Sequence, residues 1–244
     1  MAYLYLKKSS LSKKKSKLNL KRKSSKKHLA ALTLFLGLIL LISAVYPILS
    51  FSIKYSSKFS QILSPLSTTF YNQKTILGQS NTDYTHLSNW FVEKDTFVNN
   101  DTSSPDTPTS YTLSIPKLKI KDANVAIGGE DLKKSLVQYQ NTAFPGQLGN
   151  TVVFGHSVLP QFFNPKSYLT IFSTLYKLKQ GDEIFVDYDN INYKYVVEQI
   201  FEVKPSDLTV LEQRFDGRFL SIITCSPPGT YLRRLVVKAK IVDI

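Results

Sequence analysis

The stretch SIITCSPPGTYLRRLVVKAK, residues 221–240, decides how the C-terminal half of this chain folds. A run of apolar and β-branched residues leads up to Cys225, and a second run follows Arg233 and Arg234. Both runs have the length and composition of β-strands. A Pro-Pro-Gly sequence lies between them, where the chain has to turn. The stretch therefore predicts two strands, with Cys225 at the end of the first and the two arginines at the start of the second.

Similar short β segments continue through the chain from Tyr111 onward. Turn-forming residues separate them, and only residues 129–140 and 167–179 have a helical pattern. Several strands at short spacing favour a closed barrel or a sandwich over a βαβ fold. The predicted strands lie within residues 111–120, 150–156, 182–203 (a hairpin that turns at Asp189-Asn190), 218–225 and 234–244.

The positive charge of the chain is concentrated at its N-terminus. Residues 1–28 hold ten lysines, one arginine and no acidic residue, which leaves 20 basic against 18 acidic residues in the rest of the chain. Nucleic-acid binding requires the charge to cluster on the folded domain. We therefore interpret residues 1–28 as a basic tail and expect no nucleic-acid partner.

An apolar segment follows the basic tail directly. Residues 29–49 are uncharged, and as a helix they span roughly 30 Å, about the thickness of the hydrocarbon core of a membrane. A cleaved signal peptide has a shorter apolar region, although Ser43-Ala44 leaves cleavage open. Positive charges favour the cytoplasmic side. We expect a cytoplasmic tail (1–28), a single-pass transmembrane anchor (29–49) in the cell membrane, and an extracellular remainder.

The region between the anchor and the β segments is mostly polar. We interpret residues 50–109 as an extracellular connector that ends in a flexible linker, because residues 99–110 contain no apolar residue and cannot bury enough surface to offset the entropy of ordering. The predicted domain boundary lies near Ser110, and residues 110–244 form the predicted β domain.

Cys225 and His156 each end a predicted strand, where a β scaffold presents functional groups. Cys225 is the only cysteine of the chain, and an unpaired thiol outside the cell invites a functional explanation. A nearby imidazole favours the thiolate and can carry protons, and an arginine can hold a carbonyl oxygen. Cys, His and Arg would together form a thiol acyl-transfer site. Taken singly, each of these residues is more often structural.

Two segments resemble the sortases, the membrane-anchored cysteine transpeptidases of bacterial surfaces. These are TVVFGH (151–156) and IITCSPPGTYLRRLVV (222–237). The second follows the pattern Thr-Cys-x-Pro-x-Gly-x-x-x-x-Arg and then Leu-Val-Val. The resemblance covers roughly residues 111–244. It implies an all-β fold, a closed eight-stranded sortase-like β-barrel with one or two short helices, preceded by a single transmembrane helix.

The resemblance also implies a role for each candidate site residue. Cys225 would be the nucleophile, His156 the general acid and base, and Arg234 the group that steadies the carbonyl or oxyanion, while Thr224 would assist in substrate binding. Arg233 is the competing arginine, but neighbouring strand residues point to opposite faces, and the family pattern selects Arg234. The resemblance calls for no metal and no organic cofactor, and no dense acidic cluster predicts a calcium site.

The implied reaction joins two kinds of partner. Surface proteins that bear a Leu-Pro-x-Thr-Gly-like sorting motif would form a thioester with the cysteine, and an amine from a cell-wall precursor or a pilin lysine would resolve it. Pilin-polymerising members often carry a lid with an Asp-Pro-aromatic motif, which is absent from residues 50–110, so anchoring of proteins to the cell surface is favoured. Three other hypotheses stay open: a catalytically idle binding or assembly module, a hydrolysing cysteine peptidase, and a pilin-polymerising sortase.

Overall fold

The computed structural model of the chain describes residues 20–59, 83–90 and 109–242. The chain divides into two compact units, Met1–Lys54 and Tyr55–Ile244. The predicted linker at residues 99–110 lies outside the described residues except for its last two positions, the second of which begins the first strand.

Helix α1 (Leu20–Phe59) contains the apolar segment found in the sequence. Its residues His28–Pro47 have a mean hydropathy of 2.5, and their side chains are exposed rather than packed against protein. A helix that is apolar on all sides and not buried in a protein core suits a lipid environment. By its length and composition, this segment could cross a membrane once.

The second unit contains the predicted eight-stranded barrel. The strands close in the order β1-β2-β3-β4-β7-β8-β6-β5. The pairs β2–β3 and β4–β7 are parallel and all others are antiparallel. The strands are β1 (Ser110–Ile115), β2 (Ile120–Ile127), β3 (Leu136–Gln138), β4 (Gly149–Phe154), β5 (Glu183–Tyr188), β6 (Ile191–Val203), β7 (Arg218–Ser226) and β8 (Arg233–Val242).

Strands β4 and β7 are buried on both faces. One face lines the inside of the barrel, and the other packs under residues 83–90 and the short turn Leu208–Leu211 on the outside. This double burial explains why both strands are nearly continuous apolar runs in the sequence. Phe154, Ile223 and the predicted site residue Cys225 belong to the outer face.

The hairpin prediction is confirmed and the helix prediction for residues 129–140 is wrong. Asp189 and Asn190 both have positive φ angles, 54° and 59°, between the paired residues of β5 and β6, as a two-residue hairpin turn requires. Residues 129–140 form a turn and β3 instead of a helix. Leu132 and Leu136 have helical spacing, but tertiary packing buries both outside any helix.

The second predicted helical stretch contains only turns. Within residues 167–179 the longest helical element is a single 3-10 turn, Leu175–Lys177. The short helices expected beside the barrel are thus single 3-10 turns within residues 83–90 and 109–242.

Candidate active site

Cys225 lies near the end of β7, at the end of the barrel where β4 ends and β8 begins. In the antiparallel ladder with β8, Cys225 lies opposite Arg234. In the parallel ladder with β4, the last residue pair is Phe154 and Ile223. His156 follows β4 by two residues, so the three predicted site residues meet at one end of three adjacent strands.

Two side-chain hydrogen bonds hold the segment of His156 against that of Cys225 beyond the end of the β4–β7 ladder. The Thr224 hydroxyl donates to the carbonyl of Gly155 at 2.8 Å, and the Ser157 hydroxyl donates to the carbonyl of Cys225 at 3.0 Å. Since His156 lies between the two bonded residues, its backbone runs directly beside Cys225. The sequence analysis missed Ser157.

Gly155 is required for this close approach. A Cβ atom at this position would lie 2.3 Å from the ring of Phe172 and 2.6 Å from the side chain of Leu136. Real Cβ atoms do not come so near to other atoms, so a larger residue would push the His156 segment away from its neighbours. The glycine of the FGH sequence therefore has a packing role.

Thr224 faces away from Cys225, because adjacent strand residues alternate between the two faces. It is fully buried, and its hydroxyl is engaged with the Gly155 carbonyl. In the structure this hydroxyl links two strands, and its contact with a substrate stays a prediction.

Arg234, and not Arg233, shares a face with Cys225. Arg234 is only 1% exposed, and its Nη1 donates to the carbonyls of Tyr231 and Arg233, both at 3.2 Å. Its Nη2 donates to the carbonyl of Trp90 at 2.8 Å. Arg233 lies on the opposite face, where its half-exposed side chain is 3.5 Å from the carboxylate of Glu202. The alternation thus favours the arginine chosen from the sequence pattern.

Burial sets the protonation of the site. It raises the pKa of the Cys225 thiol to about 11, although the nearby charge of Arg234 opposes this rise. Burial also lowers the pKa of His156. Both groups are therefore neutral at pH 7 in this state. His156 Nδ1 is buried and has no hydrogen-bond partner among the described residues.

Residues 83–90, here called the cover segment, lie over this site. The ring of Trp90, the only tryptophan of the chain, stacks on the guanidinium of Arg234 at 4.9 Å and meets Phe154 edge to face at 5.5 Å. The ring of Tyr84 stacks on that of Tyr231 at 4.0 Å. Backbone hydrogen bonds join the segment to residues 130–132. Cys225 is fully buried beneath this part of the molecule.

The cover segment falls in the region that the sequence analysis interpreted as a connector. Its signal in the sequence is weak, since Tyr84, Leu87 and Trp90 stand among polar residues. Their spacing of three residues matches a single helical turn, and Leu87–Asn89 indeed form a short 3-10 helix.

Comparison with known proteins gives a consistent picture. A family model described as the Sortase domain matches residues 113–242. Sortase A of Bacillus anthracis is 30% identical over 135 residues, which are 54% of this chain and 56% of that protein. The chain thus spans about half the length of this relative.

Solved structures of two other bacterial proteins are also similar. A sortase D5 transpeptidase of Clostridium perfringens is 29% identical, with 55% of this chain and 79% of that chain covered and a TM-score of 0.48. Sortase A of Corynebacterium diphtheriae is 28% identical, with 57% and 63% covered and a TM-score of 0.49.

Proposed function

Since this chain belongs to the sortase family, whose model matches more than half of it, we propose that it is a cysteine transpeptidase. It cleaves a sorting motif of the Leu-Pro-x-Thr-Gly type and transfers the acyl part to an amine. One observation carries the proposal: Cys225 and Arg234 are opposite residues on one face of the β7–β8 ladder, and His156 follows the end of β4, the other neighbour of β7. A thiol, a proton carrier and a cation are the groups that thiol acyl transfer needs.

The first half of the reaction forms a thioester. Cys225 Sγ passes its proton to the imidazole of His156 and attacks the carbonyl carbon of the scissile peptide bond. The carbon–nitrogen bond breaks, and the leaving amine takes the proton from His156. Arg234 donates hydrogen bonds to the oxygen on which negative charge develops.

The second half returns the enzyme to its starting state. An incoming amine gives a proton to His156 as its nitrogen attacks the thioester carbonyl. The carbon–sulfur bond breaks, and Cys225 recovers the proton. Water in place of the amine would give hydrolysis by the same steps.

A contact within the structure supports the role of Arg234. Its guanidinium already binds a peptide carbonyl, that of Trp90, at 2.8 Å. A substrate carbonyl is chemically the same acceptor. The cover segment has to leave for a substrate to reach Arg234 and the buried thiol. Because Trp90 is the only tryptophan, binding of a sorting-motif peptide to a Cys225→Ala chain is expected to shift the tryptophan emission toward that of an exposed indole.

The proposed arrangement in the cell follows from the anchor. Residues 1–28 lie in the cytoplasm and residues 29–49 span the membrane. Residues 50–109 connect the membrane anchor to residues 110–244, which form the catalytic domain outside the cell. The protein has two kinds of partner: surface proteins that carry the sorting motif, and an acceptor that supplies an amine from the cell wall or from a pilin. An extracellular protease added to intact cells should release the catalytic domain, and a domain that stays protected would contradict this orientation.

A cleavage assay tests the proposed activity. The full chain in detergent micelles is mixed with a quenched peptide that contains the Leu-Pro-x-Thr-Gly motif, with and without an added amine. We expect cleavage, an amine-linked product, and loss of both in Cys225→Ala. A peptide that binds but stays intact would identify an idle module, and cleavage without any amine-linked product at high amine concentration would identify a hydrolase.

A further inference from the structure

A buried polar cluster lies on the opposite face of the same strand ends, and the mechanism above does not use it. Its centre is Glu202 on β6, which is 9% exposed. One carboxylate oxygen of Glu202 accepts hydrogen bonds from Tyr55 at 3.0 Å and from the Ser226 hydroxyl. The other oxygen accepts from Arg233 at 3.5 Å. The hydroxyls of Tyr55 and Ser226 are themselves 2.5 Å apart.

The partners of Glu202 are the immediate neighbours of the reactive residues. Ser226 follows Cys225, and Arg233 precedes Arg234. Ser226 and Arg233 also form the last pair of the β7–β8 ladder before the loop that joins the two strands. The carboxylate of Glu202 thus holds one residue of each strand at the point where backbone pairing ends.

The hydrogen bonds of Ser226 and Arg233 to Glu202 determine which way Cys225 and Arg234 face. Successive side chains of a strand point to opposite faces. With Ser226 and Arg233 held toward Glu202, Cys225 and Arg234 have to point toward the other face. Without these hydrogen bonds, the end of the β7–β8 ladder can twist or shift in register. A shift of one residue would turn every side chain of the shifted part to the opposite face.

The cost of burying this carboxylate also needs an explanation. An isolated buried charge is strongly unfavourable, and an apolar side chain at such a position is often as stable or more stable. Three hydrogen-bond donors offset the cost of burying the Glu202 carboxylate, and two of them belong to the strands that carry the reactive residues. Such an arrangement suits orientation of the strand ends better than stability alone.

We infer that Glu202 is a positioning residue for acyl transfer, which acts mainly through Ser226, with a weaker contribution from Arg233, to keep Cys225 and Arg234 facing the substrate. This inference rests on the proposed function. It goes beyond it by adding a residue on β6 that does not touch the reacting atoms.

Kinetics of full-chain variants in detergent test the inference. In Glu202→Ala we expect kcat to fall by roughly 10- to 100-fold with little change in KM, because a misplacement of about 1 Å can cost on the order of 100-fold in rate. Glu202→Gln keeps acceptor oxygen for Ser226 and Tyr55 and gives up only the long ion pair to Arg233. The Arg233 end of this pair is half-exposed, so solvent screens the interaction, and Gln should restore most of kcat. Ser226→Ala, a milder change, should lower kcat in the same direction.

A control variant tests whether the loss of any carboxylate of the barrel lowers kcat. Glu183 on β5 forms an ion pair with Lys194 at 2.7 Å, away from the site. Glu183→Ala removes a carboxylate from the same barrel, and we expect its kcat to equal that of the wild type. Melting temperatures of all variants identify any chain that fails to fold, in which case Glu202→Gln and Ser226→Ala decide the matter.

A second readout does not depend on turnover. Cys225 is the only thiol, so alkylation by iodoacetamide reports on it alone. In Glu202→Ala and Ser226→Ala we expect the pH midpoint of alkylation to rise, because the thiolate loses part of its attraction to Arg234. A wild type without transpeptidation would refute the proposed function, while the alkylation midpoints would still test Glu202. Unchanged kcat and an unchanged midpoint in folded variants would overturn the inference.

Discussion

Replacing Trp90 by alanine should uncover the buried thiol. The Trp90 ring stacks on Arg234 at 4.9 Å and meets Phe154 at 5.5 Å, and its Nε1 donates to the carbonyl of Tyr84 at 2.7 Å. The two ring contacts exist only while the cover segment is in place, whereas the hydrogen bond to Tyr84 lies within the segment. Removal of a buried tryptophan side chain costs about 3–5 kcal/mol, and each 1.4 kcal/mol is about tenfold. The equilibrium for opening should therefore rise by roughly 10²- to 4 × 10³-fold.

Alkylation of Cys225 by iodoacetamide, followed by intact-protein mass at fixed pH, measures this opening. The reaction is unambiguous because the chain has one cysteine. We expect Trp90→Ala to react roughly 100-fold faster or more than the wild type, provided that reaction proceeds through the open state. Phe215→Ala is the matched control, since Phe215 is an aromatic residue that is 71% exposed. Its rate should stay within about twofold of wild type, as is usual for surface changes.

Two results would refute this reasoning. An unchanged alkylation rate in Trp90→Ala would show that the cover segment does not control access to the thiol. Acceleration that depends on denaturant as steeply as global unfolding would show that the whole barrel, and not the segment, has to open.

Three further predictions concern the site itself. Arg234→Ala should lower the kcat of transpeptidation by roughly 10²- to 10³-fold, as loss of an oxyanion donor does. Arg233→Ala should change kcat by less than about tenfold, because the ion pair of Arg233 is partly exposed. Equal losses in the two variants would contradict the assigned faces. Burial favours the neutral thiol of Cys225 and raises its pKa to about 11. The alkylation rate of wild-type Cys225 should therefore keep rising with pH above 9. A plateau of the rate below pH 9 would be inconsistent with a buried thiol. Gly155→Ala should lower the melting temperature and kcat together, since its Cβ would lie 2.3 Å from Phe172; a variant with wild-type stability would show that the segment adapts.

The sequence predicted the parts of this molecule that depend on local pattern. The turn residues Asp189 and Asn190 fixed the β5–β6 hairpin, and the two-residue period of strands separated Arg234 from Arg233. A motif that places Cys225 at a strand end was also sufficient to anticipate its position opposite an arginine. These features depend on neighbours in the chain or on one strand pair.

The features that escaped prediction are tertiary. The spacing of Leu132 and Leu136 predicted a helix, yet packing on the barrel buries both residues in a turn and a short strand. Glu202 is an ordinary acidic residue in the sequence, and only the fold brings it to Ser226. The cover segment likewise has no strong local pattern, because its stability comes from the contacts of Trp90 with distant residues.

A single measurement tests the central claim most directly: the intact mass of the full chain in detergent after brief mixing with a sorting-motif peptide in the absence of amine. We predict an added mass equal to the acyl portion of the peptide, carried by Cys225, released on addition of an amine with formation of the amine-linked product, and absent from Cys225→Ala. The same adduct on Cys225→Ala, or cleavage of the peptide without any thioester adduct or amine-linked product, would contradict acyl transfer through Cys225.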